Sequence, residues 1–138
     1  MLGFFRKRTK RAEFGNVLFD FIREQVDELA EVHGLEQIAR SFYLHDYIYG
    51  ALVATCETEA VSRRDMKRVF VDFFEERFGY PRIAGASCYK AAARHRIDNP
   101  AGQGFVDGYA DGAALVEGRE ADGWLRRRFA DETAREQA

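Results

Sequence analysis

Apolar residues recur at alternating steps of three and four through the second quarter of the chain. The series comprises Leu35, Ile38, Phe42, His45, Tyr49, Leu52 and Cys56. Residues with these spacings share one face of an α-helix, whereas a strand repeats its apolar residues at every second position. The spacing therefore predicts one long helix over about residues 35–58. Further apolar residues beside this seam predict that the helix lies at the centre of the fold.

The same period continues on both sides of the central helix. Helices are expected over about 10–33, 62–78, 87–97, 100–117 and from 120 onward. Gly34 and Gly79 each follow one of these segments, as helix-ending glycines do, and Ser62 precedes one as its cap. A loop is expected from Pro81 to Ala86. Since Val and Ile form no alternating runs, the sequence predicts an all-α fold, a compact single-domain bundle of five to six helices.

A basic run near the start of the chain contrasts with an acidic remainder. The run consists of Arg6, Lys7, Arg8, Lys10 and Arg11, and it follows Leu2, Phe4 and Phe5. The chain has 21 basic and 23 acidic residues, so the remainder has a net charge of (21 − 5) − 23 = −7. We expect residues 1–11 to form a flexible arm and residues 12–138 a single helical domain with a frayed, charged C-terminus.

Such an arm favours contact with anionic lipid headgroups or with nucleic-acid phosphates. The alternative is a solvated leader whose aromatic residues dock onto the body of the protein.

A second basic cluster opens the helix that follows Ser62. It consists of Arg63, Arg64, Lys67 and Arg68. Cations in the first turn oppose the helix macrodipole, and like charges four residues apart repel each other, so the cluster costs some helix stability. A partner that uses the cluster would account for it; the alternatives are pairing with acids on neighbouring helices and plain solvation. The helix carries almost no Gln, Asn, Ser or Thr, so reading of base edges is not expected from it.

Three glycines recur at steps of four in the helix predicted over 100–117. They are Gly104, Gly108 and Gly112, and each lowers helix stability by about 1 kcal/mol relative to alanine. A stripe of this kind permits close approach of another backbone. Packing against a helix of the same chain and self-association across a dimer both satisfy the pattern.

His45 lies on the apolar seam beside Asp46. A lone histidine on such a face is usually a core residue bonded to a carbonyl or a tyrosine, although a cavity there with a carboxylate or thiol in reach would make it a site. Cys56 and Cys88 match no zinc spacing, and the sequence contains no other metal-ligand motif. We therefore expect no metal and no cofactor.

These observations lead to three hypotheses. The first is a non-enzymatic interaction protein that binds a protein partner or a second copy of itself, with the arm on an anionic surface. The second is a nucleic-acid binder, which requires the arm, the cluster 63–68 and Arg126 to Arg128 to converge on one face. The third is a small enzyme or ligand sensor built around His45. An enzyme is the less favoured class, and a cytoplasmic location is expected, with the arm able to reach the inner face of the membrane.

Overall fold

The computed structural model describes the backbone of residues 2–58 and 60–137, and the side chains of this part of the chain from residue 14 onward. The side chains of the basic arm therefore lie outside the described residues. The described residues form an all-α fold. Its helices are α1 (Leu2–His33), α2 (Leu35–Arg40), α3 (Phe42–Glu57), α4 (Arg63–Phe78), α5 (Arg82–Asp98), α6 (Gln103–Val116) and α7 (Trp124–Gln137).

Helix α3 is the central element, as the seam predicts. Twelve of its 16 residues are buried, and it contacts α2, α4, α5, α6 and α7. A helix that buries residues around most of its circumference needs neighbours on several sides. The five neighbouring helices therefore pack against α3 on different sides.

The helix predicted over 35–58 is wrong in one respect, because it is broken at Ser41. This residue is extended, with φ −69° and ψ 125°, and its hydroxyl accepts a hydrogen bond from the backbone N–H of Leu44 at 3.3 Å. A serine in this conformation caps a new helix. The break separates α2 from α3, and α3 leaves Phe42 exposed although that residue belongs to the predicted seam. The break also brings the number of helices in the described residues to seven.

The predicted loop from Pro81 to Ala86 is also wrong, because α5 begins directly at Arg82. Pro81 precedes the first helical residue, where its missing N–H removes no helical hydrogen bond. Other ends agree with the sequence. Gly34 and Gly79 have the positive φ angles of 80° and 69° that helix-ending glycines adopt, and the hydroxyl of Ser62 accepts from the N–H of Asp65.

Helices α1 and α7 close the core around α3. Leu18, Ile22 and Val26 of α1 pack in the same core as Leu125 and Phe129 of α7. None of the described helices combines the length and the low charge needed to cross a membrane.

Candidate functional site

A cavity of about 450 Å³ lies where α3, α5, α6 and α7 meet. Its volume falls within the range of small-molecule sites. Its walls combine apolar, amide and ionisable side chains. They are Phe42, Tyr43, His45, Asp46, Ala91, Ala92, His95, Asn99, Gly102, Gln103, Gly104, Glu132 and Glu136.

A histidine–carboxylate pair joins two walls of the cavity. Nδ1 of His95 on α5 lies 2.6 Å from Oδ2 of Asp46 on α3. The Asp46 side chain is 11% exposed and that of His95 is 49% exposed, so the carboxylate is held inside while the imidazole reaches the opening. Burial raises the pKa of Asp46, and the interaction with His95 opposes this shift. The bond at Nδ1 orients the ring, and Nε2 of His95 has no partner among the described residues.

His45 lines the same cavity but is held by the backbone. Its Nε2 donates a hydrogen bond to the carbonyl oxygen of Ala39, 2.6 Å away. Burial lowers the pKa of His45, which favours the neutral ring with its proton on Nε2. The expectation of a core histidine bonded to a carbonyl is therefore confirmed, and His45 also contributes to the cavity wall.

Two glutamates of α7 complete the acidic lining. One oxygen of Glu136 accepts from the backbone N–H of Tyr43 at 2.6 Å and from the Ser41 hydroxyl at 3.4 Å. One oxygen of Glu132 pairs with Arg135 at 3.1 Å. The second oxygen of each carboxylate has no hydrogen-bond partner in the part of the chain that the structure describes. These oxygens remain available to a ligand.

The wall between α3 and α6 is built from a repeated contact. The phenol of Tyr43 donates to Asp107 at 2.7 Å, and that of Tyr47 donates to Asp111 at 2.5 Å. Both the tyrosines and the aspartates are spaced by four, so each pair repeats one helical turn further along. The Tyr47 phenol also accepts from the side-chain amide of Gln25 at 3.0 Å.

The glycine stripe lies directly against this wall. A β-carbon on Gly108 would stand 1.9 Å from the carbonyl oxygen of Tyr47, and one on Gly112 would stand 2.7 Å from that of Ala51. Gly104 is equally close, at 2.8 Å from the carbonyl oxygen of Tyr43. The three glycines are buried and pack against a helix of the same chain. The stripe is thus occupied within the chain rather than offered to a second copy.

The basic residues singled out in the sequence lie elsewhere. Arg63, Arg64, Lys67 and Arg68 are exposed at the start of α4, away from the cavity. Arg126 pairs with Glu28 at 3.0 Å, in the last third of α1, whereas α4 begins beside Gly15 and Asn16. Glu28 and Asn16 are twelve residues apart on α1, which corresponds to about 18 Å along the helix axis. Arg126 therefore lies apart from the cluster 63–68 along the axis of α1.

Asp46, His95, Glu132 and Glu136 were not among the residues predicted to form a site. Asp46 adjoins His45 in the sequence, but the bond between Asp46 and His95 joins positions 49 apart. No spacing motif links residues so distant. A repeat was visible on α6, where Gly-x-x-Asp recurs at Gly104 and Gly108, and it matches the spacing of Tyr43 and Tyr47.

Within the described residues, no group of three or more His, Cys, Asp or Glu side chains is arranged to hold a metal ion. Comparisons with protein-family models, with curated proteins and with solved structures found no match to this chain.

Proposed function

We propose that this protein binds a small organic cation in the cavity between α3, α5, α6 and α7, as a ligand-binding or sensing protein. The observation that carries the proposal is the charge of the lining. Asp46, Glu132 and Glu136 contribute three carboxylates, and no lysine or arginine is among the lining residues. An ammonium or amidinium group desolvated here would find carboxylate oxygens, whose charge-assisted hydrogen bonds are stronger than those between neutral groups.

The remaining walls fit the rest of such a ligand. Phe42, Ala91 and Ala92 offer apolar surface, and the side-chain amides of Asn99 and Gln103 offer polar contacts. Phe42 is 63% exposed although it is large and apolar, and its place on the cavity wall gives that exposure a role. The pair of His95 and Asp46 supplies a further oriented hydrogen-bonding group.

The residues that line the cavity favour ligand binding over catalysis by a hydroxyl, thiol or amine nucleophile. The lining contains no Ser, Thr, Cys or Lys, which are common nucleophiles of covalent mechanisms. Its single phenol, that of Tyr43, already donates to Asp107, and burial raises the pKa of Tyr43.

The test compares three probes of one size and different charge by isothermal titration calorimetry. The probes are cyclohexylmethylamine, cyclohexylmethanol and cyclohexanecarboxylate. We expect the amine to bind and the alcohol and the carboxylate to show no measurable heat. Glu136→Gln keeps an oxygen for the Tyr43 N–H but removes the charge, and it should weaken amine binding by at least about tenfold.

The matched control is Glu24→Gln, which neutralises an exposed carboxylate on α1. It should leave amine binding unchanged. Equal binding of all three probes, or equal losses in the two glutamine variants, would contradict the proposal.

A further inference from the structure

We infer that the exposed face shared by the first half of α4 and the second half of α5 binds the phosphate backbone of nucleic acid without reading its bases. This basic face consists of Arg63, Arg64, Lys67 and Arg68 of α4 together with Lys90 and Arg94 of α5. It is independent of the cavity.

The two halves lie side by side because α4 and α5 run antiparallel. A β-carbon on Gly85 would lie 3.5 Å from atoms of Val71 and Phe74. One turn further along α5, the ring of Tyr89 contacts that of Phe70, with centroids 5.4 Å apart. Burial raises the pKa of the Tyr89 phenol, and the nearby positive charge of Arg63 opposes this shift. The order of these contacts places the second half of α5 beside the first two turns of α4.

The charge of this face is poorly compensated. Among the described residues, no carboxylate lies within ion-pair distance of Arg63, Arg64, Lys67, Lys90 or Arg94, and only Arg68 has a partner, Asp65 at 3.2 Å. The first two turns of α4 contain one acid, and α5 contains none before Asp98.

Arginines elsewhere in the described residues are mostly paired with carboxylates. Arg82 contacts Asp72 at 2.8 Å, and Arg126 contacts Glu28 at 3.0 Å. In a chain with more acids than bases, a face on which bases outnumber acids concentrates positive potential in one place.

The start of α1 lies at the same end of the molecule. Phe19 of α1 contacts Phe73 of α4, with ring centroids 4.9 Å apart, and Arg23 lies 3.7 Å from Glu76 one turn further along both helices. The two helices are therefore parallel, and α4 begins beside residues 15 and 16 of α1. The backbone of the basic run 6–11 belongs to α1, so it continues from the end at which α4 begins.

Nucleic acid fits this face better than a membrane does. Exposed side chains in these halves of α4 and α5 are mainly charged, with Ile97 the large apolar exception. A helix lying in a bilayer interface buries an apolar face, whereas phosphate contact needs only positive charge. The scarcity of amide and hydroxyl side chains on α4 removes the groups that read base edges.

The experiment is fluorescence anisotropy of the full chain with a labelled duplex of mixed sequence, across a series of salt concentrations. We expect log K to fall linearly with log[salt], with a slope of up to about −5 for six phosphate contacts. Lys67→Gln and Arg94→Gln should each reduce the magnitude of this slope by about 1, equally for duplexes of different sequence. Each lost contact thus reduces the affinity change between about 50 and 200 mM salt by about threefold.

Arg119→Gln is the control for net charge, since it removes one exposed positive charge after α6. It should leave the slope unchanged. The inference is overturned by equal slopes for the wild type and the face variants, or by equal effects of Arg119→Gln and Lys67→Gln. It is also overturned if the protein floats with phosphatidylglycerol vesicles but fails to bind the duplex at low salt.

Discussion

At the scale of single residues, Gly108 shows how little room separates α6 from α3. Its α-carbon faces the carbonyl oxygen of Tyr47, and an added β-carbon would lie 1.9 Å from that oxygen. We expect Gly108→Ala to lower the free energy of unfolding by about 2 kcal/mol, because the overpacking cost exceeds the gain in helix propensity.

The control is Gly15→Ala on α1, where a β-carbon meets no atom within 4 Å. This variant should gain about 0.5–1 kcal/mol from helix propensity alone. Urea denaturation of both variants measures the difference. If Gly108→Ala is as stable as Gly15→Ala, the backbones of α3 and α6 are not held as closely as the structure places them.

Asp111 gives the fold a dependence on pH. It is 1% exposed, one of its oxygens accepts from Tyr47 and from the Trp124 N–H, and the other is unpartnered within the described residues. Burial raises the pKa of Asp111 above its usual 3.8. Between the unfolded and the raised folded pKa, the native state binds more protons than the unfolded state, so stability falls as pH rises through this window.

Asp111→Asn removes this titration and keeps an oxygen for both donors. The free energy of unfolding of the variant minus that of the wild type should therefore increase as pH is raised from about 4, and level off above the folded pKa of Asp111. Denaturation at several pH values measures this difference, with Asp131→Asn, at an exposed position of α7, as control. A flat difference for Asp111→Asn would show that the aspartate is not desolvated in the native state.

At the scale of elements, Ser41 decides where α2 ends and α3 begins. Its hydroxyl caps α3 through the Leu44 N–H and also lies 3.4 Å from Glu136 of the cavity. Ser41→Ala should lower the free energy of unfolding by about 1 kcal/mol, as loss of a helix cap does. Ser87→Ala is the matched control, because Ser87 is exposed inside α5 and bonds only to the Ile83 carbonyl. The thermal unfolding temperature of both variants is measured. Equal shifts in the two variants would contradict a capping role for Ser41.

The same residue shows what the sequence predicts and what it does not. Caps at Gly34, Ser62 and Gly79 depend on local conformation, so they were predicted correctly. The apolar period, however, runs past Ser41 from Ile38 to Phe42 without interruption, and it conceals the break between α2 and α3. The glycine stripe predicted close packing because each glycine costs helix stability, but Asp46 and His95 come together only through the packing of α5 on α3. Tertiary contacts of this kind leave no spacing in the chain.

At the scale of the whole molecule, acidic and basic residues are concentrated on different surfaces. The formal net charge is −2 and the pI about 5.9, yet acids line the cavity while mostly unpaired bases gather on the basic face of α4 and α5. A molecule of this kind presents separate surfaces to partners of opposite charge. The net charge alone therefore does not predict which charged partners the protein binds.

Chromatography on two resins distinguishes the effect of net charge from the effect of where the charges lie on the surface. Arg63→Gln/Lys67→Gln and Arg40→Gln/Arg119→Gln both change the formal net charge from −2 to −2 − 2 = −4. At pH 8 we expect both double variants to be retained more strongly than the wild type on an anion exchanger, and by similar amounts. On a heparin column, only the first should elute at lower salt than the wild type, because only it removes charge from the basic face. Identical heparin elution of the two variants would mean that the face acts through net charge alone.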